Sequence, residues 1–248
     1  MPSITQLKGQ IQPDQLVFSK FFTTTQVDSR GNVVAQYATE DEKNHRDLLQ
    51  VYSVTLQLGY SDYICTHVVE GVRLGKLDAE SCLKFLQFAT WLDQKFDVPD
   101  LIGGVRQEHW LPLIEPAIRS FFADLESHIL EGKVLNPPIL FIDSIVVKLE
   151  GMIRRLFTNA GIATMKINRD DKEQVLDIND LLHHVEIGKI FDEDTTFFLR
   201  FVLIDKGGFN LRHEVAHGLL SLEQYKSYDR AMLLFLALLR ISGTQIRG

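Results

Sequence analysis

The chain has 248 residues, 45% of them hydrophobic and 24% charged, an ordinary globular composition that excludes a disordered chain, collagen and a coiled-coil filament. With 26 Lys and Arg against 33 Asp and Glu the net charge is −7, which excludes a bulk cationic coat for nucleic acid and leaves room for a local basic groove. Two cysteines, Cys65 and Cys82, make neither a disulfide framework nor a cysteine-based zinc site. Met1 to Gln12 lacks the apolar core of a secretory signal, and the longest apolar run, Ala231 to Leu239, falls short of the about 20 residues a bilayer span needs. Together these predict a cytoplasmic protein with no membrane partner.

In chain order, two β-favouring stretches flank the polar loop Asp28–Asn32 and predict a hairpin near residues 15–38. From Glu40 onward the pattern turns helical. Leu48, Leu49, Tyr52 and Leu56 form one apolar stripe; Leu83, Leu86, Phe88 and Leu92 form a second, with Asp78 as its N-cap. After a Pro99–Gly104 break, Leu113 to Leu130 reads as a helix with Pro112 or Pro116 in its first turn. The stretch Gly132–Pro138 divides the chain into 1–135, mostly helical with the hairpin, and 136–248, a helical bundle. Within the bundle, helices are expected near 138–160, 177–185, 193–206, 211–221 and 223–242, with Gly207-Gly208 ending the third and Asn210 capping the fourth. The last helix is apolar almost all round from Ala231 to Leu239 and should be central. The fold class is therefore mainly α.

Charge is segregated within that second half. Residues 144–169 carry a net +4 and residues 170–194 a net −7. A basic helix bearing Lys148, Arg154 and Arg155 is a candidate surface for a polyanion.

The stretch from Asn210 to Leu220, NLRHEVAHGLL, carries two chemistries. Read as His213-Glu214-x-x-His217, it is the helix of a zinc metalloprotease, two imidazoles on one face with a carboxylate to activate water. That reading needs a third ligand, and where the metzincin continuation places Gly and His the chain has Leu220 and Glu223. Read as Arg212-x4-His217, the pair offers a guanidinium to hold charge building on a phosphate and an imidazole to move a proton at neutral pH. Leu211, Val215, Leu219 and Leu222 would form the buried stripe of this helix, leaving Arg212 and His217 off it. Arg212 also falls in a first turn, where the helix dipole disfavours a cation by about 0.3–1 kcal/mol.

In this second reading the sequence resembles the HEPN superfamily, closest to a branch of unknown function with the signature R-N-x-x-x-H-G. The resemblance runs in order through Asp143–Glu150 with Arg154, Leu181-Leu182, Phe197–Leu199, Asp205–Leu211 and Val215–Leu219, covering roughly residues 138–245. It departs at His213, where the branch carries Asn. The resemblance implies a metal-independent endoribonuclease that uses no cofactor. In such an enzyme the ribose 2′-hydroxyl attacks the adjacent phosphate, in a cleft formed by a homodimer. Arg212 and His217 would be catalytic with His213 between them, and Glu150, Arg154, Arg155 and Asn210 would support the site or bind RNA. A catalytically silent HEPN module that binds RNA or a regulatory protein partner is the alternative.

Overall fold

Capping chemistry starts many of the helices in the computed structural model, which describes residues 3–10, 24–27, 33–37, 39–56, 59, 62–99, 103–167 and 171–245. The first helix, α1 (Ile4–Gln10), precedes an antiparallel hairpin of β1 (Thr24–Val27) and β2 (Val33–Tyr37), with Thr24 opposite Tyr37 and a register shift between Gln26 and Val27. The rest of the hairpin expected over 15–38 lies outside the described residues. Thr39 and Glu42 form a reciprocal capping box that opens α2 (Glu40–Thr55). The next helix, α3 (Asp62–Arg73), leads to α4 (Ala79–Ala89), which opens on Asp78 as the sequence predicts, Ser81 closing the box. Phe88, expected on the buried stripe of α4, is 80% exposed, whereas Leu92 is buried beyond the end of the helix.

The break at Pro99–Gly104 falls between two antiparallel strands, β3 (Phe96–Pro99) and β4 (Val105–Glu108). Pro112 sits in the first turn of α5 (Leu111–Glu131), Pro116 lies inside it, and Gly132 ends it at φ +68°. Across the Gly132–Pro138 break, α6 (Ile139–Asn159) packs on α5. A third antiparallel pair, β5 (Met165–Ile167) with β6 (Glu173–Val175), then precedes α7 (Ile178–Leu182) and α8 (Glu193–Leu203).

The last third corrects two expectations. The helix expected over 211–221 is only α9 (Leu211–Ala216): Gly218 takes φ +63°, Gly218 N–H donates to Val215 O, and Leu219 N–H donates to Glu214 O at 2.7 Å. This is a Schellman turn. Leu222, expected in the buried stripe, is consequently 55% exposed, and Val215 is half-buried. The helix expected over 223–242 is divided at Ser227 into α10 (Leu222–Lys226) and α11 (Tyr228–Ser242).

One cluster of buried side chains crosses the middle of the chain. Phe121 of α5 stacks on Phe141 of α6 at 4.4 Å and lies 5.8 Å from Phe235 of α11. Tyr52 of α2 meets Phe197 and Phe201 of α8 edge-on at 4.8 and 5.2 Å, and Trp91 Nε1 donates to Ile241 O at 3.0 Å. As its apolar composition predicts, α11 is buried from Ala231 to Phe235 and again at Ala237, Leu238 and Ile241, packing on α6, α8 and α3. Among the described residues no helix is long and apolar enough to cross a membrane.

Candidate functional site

The site is assembled where α9 crosses α6. Its entry is set by the turn after α8, where Phe209 N–H donates to Phe201 O at 2.9 Å and Gly208 lies so close to that strand of backbone that a Cβ would stand 2.1 Å from Phe201 O. Only glycine fits there. Asn210 then takes the left-handed conformation at φ +48°, and its carbonyl accepts from His213 N–H and Glu214 N–H at 3.1 Å each. Asn210 is the N-cap of α9, as the sequence predicts, and starts it through its backbone; its side chain makes no capping bond.

From this turn Arg212 reaches across to α6. Its Nε donates to Glu150 Oε2 at 2.8 Å, while Arg154 Nη2 donates to Glu150 Oε1 at 2.8 Å and to Leu176 O at 3.0 Å. One carboxylate therefore holds two guanidiniums, one on each oxygen, and ties together α6, α9 and the approach to α7. Glu150 is 14% exposed and each arginine 29%, so these ion pairs are half out of water and stronger than surface pairs. The three groups together carry a net +1. Among the described residues Arg154 Nε is buried without a hydrogen-bond partner. Among the described residues Arg212 is engaged only through Nε, which leaves its two terminal nitrogens available to an anion.

His213 on this short helix and His217 at its C-cap are exposed, with ring centroids 4.5 Å apart and planes at 53°. The helical spacing holds to the end, since His217 N–H donates to His213 O at 3.1 Å. Glu214 is half-buried beside the Arg230 guanidinium. A zinc site would need a third ligand beside the two imidazoles, and among the described residues no three His, Cys, Asp or Glu side chains are grouped to hold a metal ion.

The structure does not bring Arg155 to this cluster. Its guanidinium sits over the Phe96 ring at 5.0 Å, and Phe96 in turn stacks on Trp110 at 5.7 Å. Five residues after Glu150, Arg155 lies about 140° around α6, on another face. The expected basic helix is therefore divided between two faces. The nearby cation Lys166 is paired with Asp180 at 2.6 Å, and that lysine holds the Asp180 carboxyl below the usual carboxylate range.

Two features at the edge of the site were not expected. Arg230, in the first turn of α11, stacks over Phe209 at 5.2 Å and donates to Gln224 O at 3.3 Å; burial pushes its guanidinium below its ordinary value. Tyr225 donates to Asp143 Oδ1 at 2.5 Å, and burial followed by that carboxylate pushes its phenol upward. The helix expected over 223–242 would put Arg230 well inside it, so its place in a first turn came to light only with the break at Ser227. Asp143 lies seven residues before Glu150 and shares its face of α6, which spacing alone could have shown. No family model, curated protein or solved structure matches the chain.

Proposed function

We propose that the protein is a metal-independent endoribonuclease of HEPN type, working as a homodimer through Arg212 and His217. The observation that supports this best is the pairing of a fixed but unsaturated arginine with two exposed imidazoles, Arg212 and His213 within one six-residue helix and His217 at its C-cap. In this mechanism the terminal nitrogens of Arg212 grip the scissile phosphate and stabilise the charge that builds on it. Glu150 is a positioning residue, holding Nε so that the outer edge of the guanidinium faces substrate, and Arg154 holds Glu150. His217 moves the proton as the 2′-oxygen attacks phosphorus and the 5′-oxygen leaves, giving a cyclic phosphate and a 5′-hydroxyl. His213 stands beside it as the polar residue of the motif. A second copy supplies the other half of the cleft.

A second reading is favoured by the Glu150 contacts alone. A carboxylate bridging two arginines explains Arg212 as a structural clasp, in a silent module that binds RNA or a protein partner. Cleavage of total cellular RNA in excess EDTA separates the two. Cleavage by the wild type, lost in His217→Ala and in Arg212→Lys at unchanged folding, is the expected result. Retained cleavage in both variants overturns the assignment, and RNA binding without cleavage by the wild type leaves the silent module.

A further inference from the structure

A different part of the molecule, independent of the nuclease reading, is built like a ligand site. Between α3, α4 and α11 lies a groove of about 530 Å³, within the roughly 300–1,000 Å³ of small-molecule pockets. Its floor is apolar and closed: Val68 is 5% exposed, Cys82 3% and Phe235 4%. Burial, with a smaller push from Asp78, raises the Cys82 thiol to about 12, so this wall stays neutral. Its sides are large side chains left in water, Tyr63 at 61% and Phe85 at 51% exposed. An isolated exposed aromatic means little, but Tyr63, whose ring packs on His67 at 4.0 Å, and Phe85 line one recess and, among the described residues, leave a contiguous apolar surface open.

The polar groups of the lining are nearly all committed. Ser81 Oγ donates to Asp78 O and accepts from Asp78 N–H, and His67 Nδ1 is within 2.7 Å of Tyr63 O. Among the described residues no carboxylate lines the groove. Lys76 does, exposed and, among the described residues, with no ion-pair partner. An apolar trough of small-molecule size with one uncommitted cation and no anion matches a body without polar groups and a single negative head. We infer that this groove binds a single-chain amphiphile with one anionic head, a monomeric long-chain carboxylate. Its chain lies over Val68, Cys82 and Phe235, its flanks meet Tyr63 and Phe85, and its carboxylate pairs with Lys76.

Calorimetric titration of the full chain with dodecanoate and with dodecyltrimethylammonium, each below its aggregation concentration, tests this. Dodecanoate is expected to bind once per chain and the cation several-fold more weakly. An exposed ion pair is worth about a two- to fivefold change in affinity, so Lys76→Gln should weaken dodecanoate by that factor and leave the cation unchanged or tighter. Leu236→Trp, which fills the trough, should abolish both. Phe85→Glu changes a side chain that is already half in water, so it should fold and still lose dodecanoate; circular dichroism checks both variants. The inference is overturned by absence of saturable binding, by equal affinity for the two heads, or by binding that survives Phe85→Glu. It is equally overturned if Phe85→Glu dissociates the chain from a second copy seated on this groove.

Discussion

Arg154 and Arg155 are adjacent in sequence and serve different faces of α6. Arg154 sits with Glu150 and Arg212 in a charged clasp toward α9, and Arg155 lies over the ring of Phe96, which itself stacks on Trp110, toward β3. A step of one residue rotates a side chain about 100° around a helix, enough to exchange an ionic environment for a π-face. The comparison teaches that a run of basic residues is not a surface until its helical phase is known. Of the cations on α6, Arg154 is one turn from Glu150 and pairs with it, whereas Arg155 is turned away.

Removing Glu150 should have the largest effect. Glu150→Ala leaves two half-buried guanidiniums facing each other without their anion, and breaking such a pair by deleting one partner should cost about 2–3 kcal/mol. The change is measurable as a lower urea midpoint at unchanged slope. Cleavage should fall further than stability does, because Arg212 loses its orientation. Glu150→Gln keeps one acceptor oxygen and should recover part of the stability. If Glu150→Ala is neutral in stability, the clasp contributes nothing and the two faces of α6 are energetically alike.

The clasp was partly legible in the sequence, because Glu150, Arg154 and Arg212 can be picked out by type and spacing. The bond from Glu150 to Arg212 joins residues 62 apart, and no local pattern encodes that. Long amphipathic helices such as α6 could be placed within a residue or two, since their apolar period is repeated over many turns. Short elements could not. β5 and β6 are exposed at every position, so no alternation of burial marks them as strands. α3 buries only Val68 and Val72, too few to stand out. The end of α9 was written in Gly218, but Leu219 and Leu222 continue the apolar spacing, and the glycine's left-handed turn overrode it.

Gly151→Ala probes the aromatic face. An added Cβ would lie 2.5 Å from Trp110 Cη2, and overpacking of this kind costs about 1–3 kcal/mol. In an exposed helix the same change stabilises by about 1 kcal/mol, so the sign of the measured difference decides whether the indole is wedged against α6. RNA cleavage per folded molecule should not change, because Glu150 and Arg154 lie off this face. Arg155→Ala should cost less, about 0.5–1 kcal/mol for a cation stacked on an aromatic ring near the surface. It should leave cleavage intact, and a large loss of activity would return Arg155 to the site.

The smallest effect separates the histidines by environment. His213 and His217 stand in water, whereas His45 on α2 is half-buried against Phe197, near Asp205, Arg200 and His183. Burial is the main reason its imidazole is held below the ordinary 6.5, with Arg200 and His183 adding to it and Asp205 opposing it. A histidine whose folded pKa is depressed takes up its proton more readily in the unfolded chain. Its contribution is zero well above 6.5, where both states are neutral, and becomes destabilising as pH falls below 6.5 toward the folded pKa. The thermal midpoint should therefore fall on acidification through that window, and His45→Gln should flatten the slope there without altering the pH dependence of cleavage. A slope unchanged in His45→Gln would assign the acid sensitivity to other groups, and a change in the activity profile would couple α2 to the site on α9.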